Sequence, residues 1–317
     1  MSFPRTIVVE APATTANLGP GFDVFGMALD SPREKVALTA VPGKEGVRIK
    51  IYGSSRNLIP TDPEKNTAGV VAQSMMREFS IRSGLTIKIK KEIPMGVGLG
   101  SSAASAVAVA YGLNHLFNLQ LSHKELVNFS AKGEMASAGF EHADNVSAAI
   151  YGGFVIIKCY KPLDIIHLEA PPNLGVCVVI PKLQTQPKKT QKARAILPKA
   201  VPMEKFTHNI GHAAALAVGF ARGDVKLIGS SMSDAVIEPA RACMIPGYQT
   251  VKNAALKAGA LGVAISGAGP SMIAIVNTHN NVAYPVMKAM KNGFKSVGVA
   301  AKAFYTQPGK GAALAEA

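Results

Sequence analysis

Apolar and polar positions alternate over residues 85–91 (Leu-Thr-Ile-Lys-Ile-Lys-Lys), which predicts a strand with one wet face. Residues 6–10, 36–41 and 47–52 read as further strands, with a glycine turn between the last two. Residues 11–23 are rich in Pro, Gly, Thr and Asn and read as a loop. Apolar residues recur at helical spacing over 66–79, with Asn66 or Thr67 as the cap. A small-residue helix is expected from Ser101 to about residue 117. Another covers 122–136, where Ser122 and Glu125 have capping-box spacing. Beyond Gly152-Gly153 a second unit begins. It carries strands near 154–157, 175–180, 262–266 and 272–276, and helices near 190–197, 206–221 and 248–258. Strands and helices mingle without regular alternation, so the fold class is α+β, in two domains spanning 1–160 and 161–317.

Composition narrows the picture. Of 317 residues, 48% are hydrophobic and 17% charged, the balance of a packed globular protein. The formal net charge of +14 attracts anions. Nucleic acid is not the expected partner. There is no Trp, only 6% of residues are aromatic, and the densest basic run, 187–194, is short. Cys159, Cys177 and Cys243 are widely spaced, odd in number and form no CxxC pair, so a zinc site or disulfide framework is not expected and a reducing cytoplasm fits. No apolar leader follows Met1, and no uninterrupted apolar run reaches the ~18 residues of a membrane span. The most apolar stretches, 103–113 and 261–276, are broken by Ser, Gly or Pro.

The strongest chemical signal lies at 94–104. Gly96, Gly98 and Gly100 let the backbone turn tightly and approach a ligand without a Cβ in the way. Ser101 and Ser102 then open a helix, whose unpaired amides and partial positive charge suit phosphate. A plain glycine turn capped by Ser is the alternative reading. The segment is not a Walker loop, since Gly-Lys-Ser/Thr occurs nowhere, and 22–26 (Phe-Asp-Val-Phe-Gly) is not the protein-kinase DFG.

The full string Pro94-Met95-Gly96-Val97-Gly98-Leu99-Gly100-Ser101-Ser102-Ala103-Ala104 resembles the phosphate-binding motif of the GHMP kinases. Two other segments resemble that superfamily's further motifs, in the expected order: 11–23 (Ala-Pro-Ala-Thr-Thr-Ala-Asn-Leu-Gly-Pro-Gly-Phe-Asp) and Ile265-Ser266-Gly267-Ala268-Gly269-Pro270-Ser271. His142-Ala143-Asp144-Asn145-Val146, Gly152-Gly153-Phe154 and Glu238-Pro239-Ala240-Arg241 are similar to marks of the branch acting on L-homoserine, a step toward threonine. The resemblance implies an N-terminal domain with a left-handed β-α-β unit, like the second domain of ribosomal protein S5. It further implies a ferredoxin-like C-terminal domain, ATP and Mg²⁺ as cofactors, and a homodimer.

It also implies site roles. Arg194 and Arg241 match carboxylate-binding arginines, a task that suits the planar guanidinium. Asn17 and Asp23 would hold the substrate ammonium, or else only shape a turn. His142 and Asn145, three apart on one helical face, match substrate contacts, and Thr190 a residue beside the transferring phosphate. Ser102 and Glu134 are the Mg²⁺ candidates. Asn66 and Thr67 would bind adenine or ribose, with helix capping as the plain alternative. Gly267 to Ser271 would close against the phosphate loop. Asn145 stands where many sugar and mevalonate kinases have Asp, so positioning is expected to dominate over base catalysis, with Asp144 as the rival base. The competing functions are a mevalonate- or sugar-type kinase and a non-catalytic nucleotide-binding protein.

Overall fold

The computed structural model describes residues 5–53, 56–138, 143–184 and 189–315. The first layer is built from β1 (Arg5–Asn17), β2 (Gly21–Val41), β3 (Val47–Tyr52), α1 (Thr67–Glu78), β4 (Gly84–Lys90), α2 (Ser101–Leu116), α3 (His123–Ala138), α4 (Asp144–Tyr151), β5 (Phe154–Tyr160) and β6 (Leu163–Leu168). Then come β7 (Leu174–Pro181), α5 (Lys189–Ala195), α6 (Met203–Arg222), α7 (Val225–Ser230), α8 (Ile237–Arg241), α9 (Tyr248–Lys257), β8 (Gly262–Ile265), β9 (Met272–Asn277), α10 (Ala283–Lys295), β10 (Ala301–Thr306) and β11 (Ala313–Leu314). The α+β class follows from two separate sheets with helices packed on them.

The first sheet runs β11-β1-β2-β4-β3, with β5 and β6 continuing from the other end of the long strand β2. Besides β1, that strand serves two neighbours: residues 35–41 pair with β4, and 25–27 pair with β5. Only β3 and β4 are parallel in this sheet, joined through α1. The second sheet, β10-β7-β9-β8, is antiparallel throughout, with α9 and α10 packed on it. By sheet membership the chain divides between Leu168 and Leu174, and β11 returns to the edge of the first sheet against β1. The two layers share a core: Phe220 of α6 stacks on Phe154 of β5 at 3.8 Å between ring centres.

The segment expected as a loop over 11–23 is instead the end of β1, a turn at 18–20, and the start of β2. Pro12 is tolerated because the register shifts between Pro12 and Thr14, where no ladder donor is needed. Thr14 and Thr15 are fully buried on this strand, so polarity there marks a site rather than solvent. The structure also holds β6 and α10, absent from the reading of the sequence. In α10, Val286, Met290 and Phe294 recur every four residues and are fully buried. Among the described residues, no helix is long and apolar enough to cross a membrane.

Candidate active site

The glycine-rich loop joins β4 to α2. Gly96, Gly98 and Gly100 take φ values of +66°, +90° and +64°, the left-handed region that favours glycine. Space enforces the same choice. A Cβ on Gly98 would stand 2.1 Å from the Ser266 carbonyl oxygen, and one on Gly100 would stand 1.9 Å from Thr14 Oγ1. Gly100 is the N-cap of α2 and makes no side-chain cap bond, so no side chain of the cap residue occupies the helix start, a position that suits an anion.

The turn between β8 and β9 closes on this loop from the second layer. Ser266 Oγ donates to the Gly98 carbonyl at 2.6 Å, and the Ser271 amide donates to the Val97 carbonyl at 3.0 Å. The same turn reaches β1: the Gly267 amide donates to Ala16 O at 3.1 Å, and Asn17 Nδ2 donates to Gly267 O at 2.9 Å. Three segments distant in sequence thus form one wall.

Ser101 and Ser102 diverge. Ser101 Oγ turns inward and donates to Ile93 O, whereas Ser102 Oγ donates to Glu134 Oε1 at 2.6 Å. Glu134, on α3, is buried. Beneath the loop lies a buried ion pair that the reading of the sequence missed. Lys91 Nζ contacts Glu34 Oε1, Ser105 Oγ and the Ser101 carbonyl. Burial of such a pair is tolerated because further hydrogen bonds surround it. The signal was present: Leu85, Ile87 and Ile89 face inward along β4, and Lys91 is next in that alternation.

Opposite the loop stand the arginines. Arg194 Nη2 meets Asp23 Oδ2 at 2.6 Å, and the Arg194 and Arg241 guanidiniums lie 5.2 and 5.1 Å from the Phe22 ring centre. Asp23 and Asn17 both have positive φ, and Asn17 Oδ1 accepts from the Asp23 amide, which holds this turn in shape. Arg241 is buried. Its Nη1 donates to Gly267 O at 3.0 Å and its Nε to Ala193 O at 3.3 Å. Burial lowers its pKa, and Asp23 opposes that shift. Its helix is pinned by Glu238, which accepts from the Ile265 amide, Tyr248 Oη and Lys252 Nζ. Burial raises the Glu238 pKa, with Lys252 pulling it back.

One cavity of about 310 Å³ joins these parts. Asn17, Asp23, Asn66, Thr67, Met95, Gly96, Gly98, Leu99, Gly100, Ser101, Ser102, Glu134, Asn145, Thr190, Arg194 and Arg241 all line it. Pro94, Val97, Ala103 and Ala104 do not; Ala103 and Ala104 are core residues behind the loop. Asn66 also caps α1, accepting from the Ala68 amide, while its Nδ2 donates to Pro60 O. Asn145 Oδ1 accepts from Thr14 Oγ1 at 2.7 Å, and its Nδ2 donates to Asp144 Oδ1 at 3.0 Å. His142 lies outside the described residues. Phe22, Lys65, Lys91, Asp144 and Lys189 line the cavity too, and of these the sequence points only to Asp144 as a participant.

Two family models match, described as the GHMP kinases N terminal domain over residues 66–153 and GHMP kinases C terminal over residues 216–295. A homoserine kinase of Methanococcus vannielii is 44% identical, covering 98% of this chain and 99% of its own length. That of Natronomonas pharaonis is 42% identical over 97% and 99%. A solved homoserine kinase from Cytophaga hutchinsonii superposes with a TM-score of 0.91 at 39% identity, covering 99% of both chains. The mevalonate kinase of L. major, at 16% identity and TM-score 0.68 over 97% of each chain, shares the fold alone. The chain belongs to the homoserine kinase family of the GHMP kinases.

Proposed function

We propose that this protein transfers the γ-phosphoryl group of ATP to the side-chain hydroxyl of L-homoserine, giving O-phospho-L-homoserine and ADP. The observation that carries the reading is a single cavity with an uncapped helix start on one wall and the Asp23–Arg194–Arg241 cluster on the other. The first wall suits a polyphosphate. The second suits an amino acid: guanidinium for its carboxylate, carboxylate for its ammonium. A sugar or mevalonate has no ammonium to match Asp23.

ATP is the donor used by this family. Ser102 and Glu134 supply a hydroxyl and a carboxylate oxygen side by side, a donor set that fits Mg²⁺, which takes few protein ligands besides phosphate and water. Bound there, the metal would neutralise charge on the β- and γ-phosphates. The chain's own residues align the reactants. The loop amides hold the phosphates, Thr190 borders the transferring group, and Asn145 borders the acceptor with its amide fixed by Thr14 and Asp144. An Asn cannot take the hydroxyl proton, which passes to an oxygen of the transferred phosphoryl group as the O–P bond forms and the bond to ADP breaks; a loose phosphoryl-transfer transition state needs alignment more than early deprotonation. His142 is assigned to the acceptor side as well.

The test is ADP release from Mg-ATP with homoserine, mevalonate or galactose. Turnover with homoserine alone supports the reading, while turnover with either of the others, or with none, overturns it. A homodimer is the assembly we expect. Met203, Phe206 and Ile210, at 74%, 50% and 52% exposure along one face of α6, support it. Light scattering that gives a monomer mass would refute it.

A further inference from the structure

Five cations line the cavity: Lys65, Lys91, Lys189, Arg194 and Arg241. Three have carboxylate partners in Asp62, Glu34 and Asp23 respectively. Among the described residues, Arg241 and Lys189 have none within 4 Å. Arg241 is immobilised by two carbonyl groups and belongs to the acceptor wall. Lys189 is held differently. It stands on α5, five residues before Arg194, and reaches across the cavity to the opposite layer, where Nζ donates to the Gly96 carbonyl at 2.9 Å.

This ammonium has three donors, and the Gly96 carbonyl uses one. A half-buried cation without a counter-ion attracts an entering anion. Burial and the nearby Arg241 charge hold its pKa down to about 7, so the site is short of negative charge before a ligand arrives. Location selects which phosphate would supply it. Lys189 touches the phosphate loop and precedes Thr190, on the helix whose Arg194 faces the acceptor. It therefore stands between the two reactants, where the group in transit lies.

We propose that Lys189 is a ligand of the terminal phosphate of ATP: on nucleotide binding its ammonium exchanges the Gly96 carbonyl for a γ-phosphate oxygen and follows that group as it is transferred. The inference rests on the kinase reading above and adds a residue to it. Once nucleotide is bound, Lys189 stays a cation and neither takes nor gives a proton in the transfer itself. A charge-assisted bond to phosphate is stronger than the amide-oxygen contact it replaces.

The experiment compares ATP with ADP. Mg-ATP and Mg-ADP are titrated calorimetrically into the wild-type chain, Lys189→Met and Lys189→Arg. Lys189→Met is expected to weaken ATP by about tenfold or more, the size of a lost charge-assisted hydrogen bond, while ADP stays within about twofold. Lys189→Arg restores most of the difference. Equal weakening of both nucleotides would make Lys189 a mere brace of the loop and overturn the proposal, as would no change in either. Circular dichroism of the folded variants excludes unfolding as the cause. The kinase reading fails separately: if wild-type protein phosphorylates no acceptor, the assignment of homoserine falls, while the ATP-to-ADP comparison still decides the role of Lys189.

Discussion

Replacing Gly98 with alanine tests the joint on which the site depends. The new Cβ would lie 2.1 Å from Ser266 O and 2.9 Å from Gly269 O, and both are backbone atoms that cannot rotate away. Side-chain carbons essentially never come within 3.0 Å of such atoms, so loop and turn must separate by about 0.9 Å. Separation breaks the Ser266 Oγ bond to Gly98 O and the Ser271 amide bond to Val97 O, each a contribution of about 1 kcal/mol. The φ of +90° adds about 1–2 kcal/mol for any residue with a Cβ. The total is roughly 3–4 kcal/mol, a fall in melting temperature of about 4–6 °C for a chain of this length. Gly298→Ala is the control: its φ is +77°, but a Cβ there meets nothing within 4 Å, so only the backbone contribution remains. Moving a phosphate cradle by about 1 Å should also lower kcat about 100-fold. Calorimetric melting and steady-state kinetics read both effects. If Gly98→Ala melts no lower than Gly298→Ala and keeps kcat within about threefold of wild type, the reasoning about this joint is wrong.

Tyr248→Phe removes the hydroxyl between Glu238 and Lys252 and should cost about 1 kcal/mol; because Glu238 anchors the helix of Arg241, KM for homoserine should rise several-fold with kcat and KM for ATP unchanged, which initial-rate kinetics will show. Asp144→Asn should retain turnover within about tenfold while Asn145→Ala loses about 100-fold in kcat; the reverse order, read from initial rates, would make Asp144 the base. Lys189 offers a pH test. Its pKa near 7 in the free protein should rise when phosphate binds, so the free amine is about 10% protonated at pH 8 and binding takes up a proton. ATP affinity should therefore fall as pH climbs from 7 to 9, with net proton uptake shown by titration calorimetry in buffers of different ionisation enthalpy. Lys189→Met should abolish that uptake.

Much of the site was legible because its chemistry sits in contiguous strings. The alternating glycines marked the loop that turns left-handed along the cavity, and the Ser122–Glu125 box forms as its spacing implies, with Glu125 Oε2 accepting from the Ser122 amide at 2.8 Å. Resemblance, not spacing, brought Arg194 and Arg241 together, since nothing local ties residues 47 positions apart. What stayed hidden obeys tertiary rather than local rules. Residues 11–23 carry turn-forming composition, yet the sheet buries Thr14 and Thr15 to serve Asn145 and Ser266. The Lys91–Glu34 pair joins β2 to the end of β4, and only the alternation along β4 hinted at it. In the sequence Lys189 is one member of the short basic run 187–194, and its reach to Gly96 depends on how α5 sits over the loop. The strand β6 alternates weakly, with Ile166 and Leu168 both partly exposed, so its partner β5 is what makes it a strand.

The late return of β11 to β1 has a consequence for synthesis on the ribosome. Strand β1 emerges about 300 residues before β11, and its outer edge has no neighbour until residues 313–314 have been translated. Through that interval a nascent chain presents an open strand edge, a surface on which chains aggregate or chaperones bind. Val8 and Val9 lie along that edge, so a polysome carrying many such chains is where this protein is most exposed to misassembly.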